Sequence, residues 1–432
     1  MEAAAAPLSL RERIEAFRRS DTAQAASLAV ATIFQQLIAV VFTVIFTRIL
    51  GRDGYGSLAA LINLLVILVV PGAALQVAAA RQGTLGKFGT GPELAATLDR
   101  WTRHILLGMV GLVLLSVLLR NQIATVVGVD EQWAAASAPV AAGVWLLISV
   151  QRGILQSVRA YKPVAYSYIG DGFGKLGFAL ILVAVNLDVT GAFVGQLISW
   201  CVIGIVLHRL LRARLGAPAG AIGHHLAPLA RNAAVPIFGL TCVAALQNVD
   251  VIMARRSLTH KEAGVYAAAT IAAKLVVWVA VGIGLWVLPE ATRRAARGLD
   301  PRIVLARALG VIVAISTPAV LLFAAVPRLL LKLAFGPKYQ SGDQVLLILG
   351  VAFALLAVSY ITVQFLLGLH RRGFVILLGV SAVAEPLVLL GADSLKTIAW
   401  RVLAVQSVTA VVLVLLGTRV RADPLAGSEP VL

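Results

Sequence analysis

Residues 57–80 read SLAALINLLVILVVPGAALQVAAA, a stretch without one charged side chain. A helix that crosses a bilayer needs about 20 mostly apolar residues, so this segment is long enough to span. It is continuous instead of alternating at every second position, which makes it a helix and not a barrel strand. Comparable runs follow one another from Ser27 to Gly417. With charges, Pro and Gly as punctuation, the spans fall at about 22–50, 57–80, 104–119, 134–158, 164–185, 190–208, 232–254, 263–288, 303–325, 343–369, 374–390 and 398–418. The whole composition agrees: 60% of the 432 residues are hydrophobic, 13% are charged and the mean hydropathy is +0.93, outside the soluble globular range. The expected fold is all-α and integral to the membrane, with about 12 transmembrane helices.

A net charge of +17 would suggest nucleic acid in a soluble chain. Here the basic residues gather in short loops on one side, such as Arg209, Arg212, Arg214 and Arg231, or Arg293, Arg294, Arg297 and Arg302. That bias sets topology, so no nucleic-acid partner is expected and both termini are placed in the cytoplasm. Cys201 and Cys242 lie inside apolar runs and form no CxxC, which implies neither a disulfide framework nor a metal site. The first run is too long for a signal-peptide core and is retained as a span. Before it, Ser9 and Glu12 have capping-box spacing and Leu10, Ile14 and Phe17 share one helical face, so residues 1–21 read as an interfacial cytoplasmic helix.

The connection 209–231 contains Gly216, Pro218, Gly220, Gly223 and the pair His224–His225, and it falls at mid-chain. It reads as a cytoplasmic linker between an N-terminal lobe, 22–208, and a C-terminal lobe, 232–418, with a cytoplasmic tail at 419–432. The lobes share a pattern. At an offset of 208, Arg48, Leu50, Gly56, Ala59 and Ala60 align with Arg256, Leu258, Gly264, Ala267 and Ala268, each set at the turn after an odd-numbered span. Two pseudo-symmetric six-helix lobes are a transporter architecture, with the substrate between halves and alternating access by rocking. No loop exceeds about 25 residues, which leaves no room for an extramembrane catalytic domain.

The stretches TRILGRDGYGSLAAL at 47–61 and NVDVIMARRSLTHKEAGVYAAATIAAK at 248–274 resemble the oligosaccharide flippases of the polysaccharide biosynthesis family. That family lies within the multidrug, oligosaccharidyl-lipid and polysaccharide exporter superfamily. The shared pattern is Arg-x-Leu-Gly leading to Tyr-Gly, then an Asp at the outer end of the seventh span and Ala-Gly-x-Tyr-Ala opening the eighth. The resemblance implies translocation of a polyprenyl-pyrophosphate-linked oligosaccharide from the inner to the outer leaflet of a bacterial cytoplasmic membrane. It also implies a V-shaped cavity between lobes, lined chiefly by spans 1, 2, 7 and 8. Glycosyltransferases or a glycan polymerase would be partners in such a pathway, and no cofactor is expected.

An ionisable side chain in the bilayer core costs at least about 2.5–3.5 kcal/mol and needs a reason to be there. Lys274 lies about 16 Å deep on the eighth span and is the first candidate for the pyrophosphate. Lys175 is similarly deep, but Asp171 precedes it by one helical turn and would neutralise it as a same-face pair. Arg152 either meets the headgroup near the cytoplasmic end of the fourth span or snorkels. Arg48 and Arg256 flank equivalent outer turns and could grip the headgroup late in its path, while Arg52 and Asp53 fix their turn. Asp250, beside Asn248, and Asp171 are candidate coupling or cavity acids. Glu385 and Arg401, on consecutive spans at similar depth, are expected to form a structural bridge. Pro71 should interrupt the second span and act as a hinge.

Gly172, Gly174 and Gly177 complete a GxGxxG, but no strand precedes them and helix packing accounts for them. No Walker motif or HExxH occurs. The deep cations Arg152, Lys175, Lys274 and Arg401 outweigh Asp171 and Glu385, which favours an anionic ligand over the cations that a drug exporter of the same superfamily would carry. A non-catalytic subunit of a glycan-assembly complex is the third reading.

Overall fold

The computed structural model describes residues 21–218 and 220–420. The expected interfacial helix, and all of the tail beyond residue 420, lie outside them. The described residues form helices and turns, with no strand among them. In chain order the helices are α1 (Asp21–Ile49), α2 (Gly51–Thr84), α3 (Pro92–Leu118), α4 (Arg120–Val127), α5 (Gln132–Ser157), α6 (Tyr161–Ala184) and α7 (Asp188–Leu215). After mid-chain come α8 (Leu226–Asn232), α9 (Ala234–Ser257), α10 (His260–Ala296), α11 (Arg302–Ala325), α12 (Pro327–Phe335), α13 (Asp343–Gly368), α14 (Phe374–Leu389) and α15 (Leu395–Arg419). The chain is a multi-pass membrane protein.

Eleven described helices are long and apolar enough to cross a membrane. The remaining expected span, the eleventh in order, is α14, which has only 16 residues, or about 24 Å at 1.5 Å per residue, short of the ~30 Å hydrocarbon layer. Helices also extend past the expected boundaries. Leu50 alone separates α1 from α2, Gly51 opens α2 in the left-handed conformation (φ 65°), and α2 starts before the expected Ser57. On the equivalent turn of the second half, Thr259 caps α10 in a reciprocal capping box with Glu262.

Buried apolar residues form two cores. One runs from Phe42 to Ala233 and takes in Ile252 of α9; the other runs from Cys242 to Leu413 and takes in Tyr55 and Ala59 of α2. Each lobe therefore lends a helix to its neighbour's core. The repeat-related glycines Gly56 and Gly264 meet at this junction: a Cβ on Gly56 would lie 3.1 Å from the Gly264 nitrogen, and one on Gly264 would overlap the Arg52 carbonyl oxygen. Only residues without side chains let α2 and α10 approach so closely. On the same end Tyr339 donates its hydroxyl to the Thr47 carbonyl at 3.0 Å, a further tie between lobes.

The mid-chain connection is packed down. Trp101 Nε1 on α3 donates to the His224 carbonyl at 2.8 Å, Arg100 donates to the Gly223 carbonyl at 2.8 Å, and a Cβ on Gly223 would overlap the Ala96 carbonyl. The histidine doublet is thus a docking contact to α3. Pro71 deprives the Ile67 carbonyl of its helical donor. α2 nevertheless continues through it, and Gly72 fits against Trp145 and Ser149 of α5.

Candidate functional site

Lys274 on α10 reaches across the lobe boundary. It is 5% exposed, and its ammonium donates to Asn63 Oδ1 of α2 at 2.8 Å and to Asn248 Oδ1 of α9 at 3.1 Å. Both amides are oriented by their own helices, because each Nδ2 donates to the carbonyl one turn earlier, Ala59 or Ala244, at 2.7 Å. That fixes both oxygens toward the lysine. The Phe353 ring lies 5.5 Å from Nζ. An ammonium has three donors. Two are used by neutral amides, and no carboxylate of the described residues lies within ion-pair distance of it.

Two carboxylates act on Lys274 from further off, Asp250 and Glu385. Asp250 on α9 is fully buried and accepts from the Tyr266 hydroxyl of α10 at 3.1 Å through Oδ2. Glu385 on α14, also fully buried, accepts at 3.3 Å from Gln406 of α15, whose amide also donates to the Leu246 carbonyl at 2.9 Å. Asp250 Oδ1, Glu385 Oε1, Gln406 Oε1 and Thr270 Oγ1 are buried without a hydrogen-bond partner among the described residues. The first lobe likewise buries polar atoms without a partner among the described residues, among them Ser149 Oγ, Trp145 Nε1 and both polar atoms of the Gln151 amide.

The expected Glu385–Arg401 bridge does not form. Arg401 donates instead to the Val388 and Leu390 carbonyls at 3.0 and 2.9 Å. Those carbonyls belong to the end of α14, where the helix leaves acceptors without donors, and the arginine caps them. Glu385 sits one turn earlier and is turned toward α15 and the interior of the second lobe.

In the first lobe, Asp171 of α6 accepts from three neutral groups: Gln35 of α1 through Oδ2, and Gln196 and Trp200 of α7 through Oδ1, the latter two at 2.8 Å. It forms no ion pair with Lys175, contrary to the one-turn spacing. Lys175 places its ammonium 4.3 Å from the centre of the Phe42 ring and makes no hydrogen bond to a described residue. It lines a pocket of about 120 Å³ with Ile62, Leu65, Phe193, Gln196 and Trp200. Arg152 neither faces a vestibule nor snorkels. It is fully buried, donates to Ser167 Oγ at 2.8 Å and to the Ser167 carbonyl at 3.2 Å, and stacks between Tyr168 and Trp145 at 4.0 and 5.1 Å. Its Nη1 has no partner among the described residues.

At the turns that follow α1 and α9, Arg48 and Arg256 are exposed. Their neighbour Arg255 is the buried one, 3% exposed, and crosses between lobes to Ser57 Oγ at 2.9 Å with Asp130 of the first lobe at 4.0 Å. Sequence reasoning missed Arg255, Asn63, Tyr266 and Gln406 as members of these clusters. Asn63 carried a signal, as a polar side chain within an otherwise apolar run, Tyr266 stood in the Ala-Gly-x-Tyr-Ala pattern, and Arg255 was expected at most to neutralise Asp250; Gln406 did not stand out.

No family model and no curated protein matches the sequence. Solved structures do match in shape. The inward-facing conformation of a multidrug resistance MATE family transporter of the MOP superfamily superposes with a TM-score of 0.76 at 12% identity, over 92% of this chain and 96% of that one. The fold is that of the MATE-like transporters. Lipid II flippase MurJ, in an inward closed conformation, follows with 0.70 at 12% identity, over 90% and 87% of the two chains. The outward-facing conformation of a MATE transporter gives 0.57 at 13% identity, over 94% and 97%. In MATE-like terms the two cores are the two lobes, and Lys274 lies where they meet.

Proposed function

We propose that the chain moves a polyprenyl-pyrophosphate-linked oligosaccharide across a bacterial cytoplasmic membrane, from inner to outer leaflet, by alternating access. The observation that carries this reading is that Lys274, Lys175 and Arg152 are deeply placed cations with no carboxylate partner within ion-pair distance among the described residues. Holding an unmatched cation in a low-dielectric interior is costly, and a protein that binds anions there recovers that cost when the ligand arrives. Lys274 is the leading member because its partners are uncharged and one donor remains unspent, so phosphate oxygens can join or displace the amides. Lys175 offers a second cation beside an apolar pocket. Arg152 is held by Ser167 and two rings, which suits it to shaping the first lobe instead of touching substrate. The likeness to a lipid II flippase supports the reading at the level of fold.

The described conformation fits an inward-facing state. Contacts between lobes concentrate at the Gly56–Gly264 end, which the charge bias assigns to the outside, and the match to an inward-facing relative exceeds that to an outward-facing one. Rocking to the outward state must part Lys274 from Asn63, since these lie on different lobes. Asp250 and Glu385, each with a bare oxygen, are the coupling acids: a proton or monovalent cation taken up there changes the field on Lys274. The membrane potential adds about 2.3 kcal/mol per charge per 100 mV, which drives an anion outward from a negative interior.

The test is leaflet accessibility of a fluorescent polyprenyl-pyrophosphate oligosaccharide in proteoliposomes under an imposed potential, with a lipophilic cationic dye assayed in parallel. Flipping of the glycan without dye export supports the proposal. Dye export without flipping would replace it by a cation-coupled drug exporter.

A further inference from the structure

A second site lies between two helices of the second lobe. Between α10 and α11 a groove of about 670 Å³ is lined by Ile283, Trp286, Arg307, Ala308, Gly310, Val311 and Ala314. Arg307, Gly310, Val311 and Ala314 follow one face of α11 at helical spacing, and a Cβ on Gly310 would meet nothing within 4 Å. The groove thus runs lengthwise along the helix and is open because small residues form part of its floor. Arg307 stands at its mouth, exposed, and makes no hydrogen bond or ion pair with a described residue.

Height fixes what that arginine meets. Arg307 is five residues past the start of α11, about 7.5 Å in, while Ala314 is about 18 Å in and Trp286 about 15 Å from the end of α10. The end of α10, the loop after it and the start of α11 hold Arg293, Arg294, Arg297 and Arg302, of which Arg293 is paired with Glu290 and Arg302 with Asp300. A basic collar, one unpaired guanidinium just beneath it and an apolar trough below reproduce the order of a phospholipid: phosphate, glycerol, acyl chain. Trp286 stands along the same trough, its ring 46% exposed to whatever fills it.

We propose that this groove binds one anionic glycerophospholipid of the collar-side leaflet, its phosphate on Arg307 and an acyl chain along Gly310, Val311 and Ala314. The site is separate from the substrate reading, since its lining includes none of Lys274, Lys175 and Arg152. Charge complementarity selects an anionic headgroup, and one basic residue near an anionic surface is worth about a fivefold preference.

The experiment is native mass spectrometry of the full chain released from nanodiscs of equimolar phosphatidylglycerol and phosphatidylcholine. The native protein is expected to retain phosphatidylglycerol over phosphatidylcholine. Arg307→Ala should lower that preference about fivefold, Gly310→Trp should abolish retention by filling the trough, and Lys396→Ala, exposed near the start of α15 and outside groove and collar, should leave it unchanged. Circular dichroism and elution profile confirm folding of each variant, and Gly310→Trp keeps the test open if Arg307→Ala does not fold. Equal retention by Arg307→Ala, or retention of both lipids without preference in the native protein, overturns the proposal. So does exclusive retention of polyprenyl phosphates when these are added, which would make the groove part of the substrate path.

Discussion

The two lobes each bury a carboxylate on their fifth spanning helix and set against it a glutamine from the sixth, Asp171 with Gln196 and Glu385 with Gln406. The surroundings then diverge. Asp171 receives three N–H donors from two neighbouring helices, so both of its oxygens are used. Glu385 receives one long amide bond, keeps one oxygen bare and lies within electrostatic reach of Asp250, which also keeps one bare. A fully bonded carboxylate is a structural pin, here joining α1, α6 and α7. An underbonded pair next to Lys274 is a site whose load can change. The difference sets a fully bonded carboxylate in the first lobe against an underbonded one in the second, although sequence duplication alone would have given the two the same surroundings.

The comparison breaks first at Asp171. Asp171→Ala strands the donors of Gln35, Gln196 and Trp200, and should cost about 3–5 kcal/mol of stability, read as a clear fall in the detergent melting temperature. Transport per folded molecule should persist; a stable but inactive variant would move the coupling role into the first lobe. Next comes Lys274→Met, which should lower glycan flipping on the order of 100-fold, the value of about 2–3 kcal/mol for charge-assisted bonds to a phosphate in a dry site. Melting should change less than for Asp171→Ala, because removing a buried ammonium without an ion-pair partner offsets the two amide oxygens that it strands.

Smaller still is Glu385→Gln. It should reduce gradient-driven flipping about tenfold, or ~1.4 kcal/mol, and remove the response to an imposed proton or sodium gradient, with stability unchanged or raised. Retained gradient dependence would leave Asp250 as the sole acid in the account. The smallest effect belongs to Arg401→Ala, which removes a helix cap worth about 1 kcal/mol and should slightly lower the melting temperature without altering transport.

Much of the architecture was legible because the bilayer allows so little else: uncharged runs of sufficient length had to be helices, and the basic loops had to gather on one side. The offset that aligned Gly56 with Gly264 also marked the place where the lobes touch, since a repeat axis brings equivalent positions together. Site residues were less legible. Spacing along one helix paired Asp171 with Lys175, but donors from two other helices outcompeted the lysine, and no intrahelical rule encodes that choice. Similar depth suggested Glu385 with Arg401, yet depth says nothing of rotation about the helix axis, and the arginine was drawn to the carbonyls that end α14. Asn63 and Gln406 escaped notice because each lies alone in its own span, the motif that holds Tyr266 did not show its partner, and only packing assembles them around Lys274, Asp250 and Glu385.

The most direct test of the central claim is the affinity of the full chain in nanodiscs for geranylgeranyl pyrophosphate and for geranylgeraniol, measured for the native protein and for Lys274→Gln. The account predicts that the native protein prefers the pyrophosphate and that Lys274→Gln loses at least about tenfold of that affinity, or ~1.4 kcal/mol, while binding of the neutral alcohol is unchanged. Equal binding of alcohol and pyrophosphate by the native protein, or a preference for the pyrophosphate that survives the substitution intact, would contradict it.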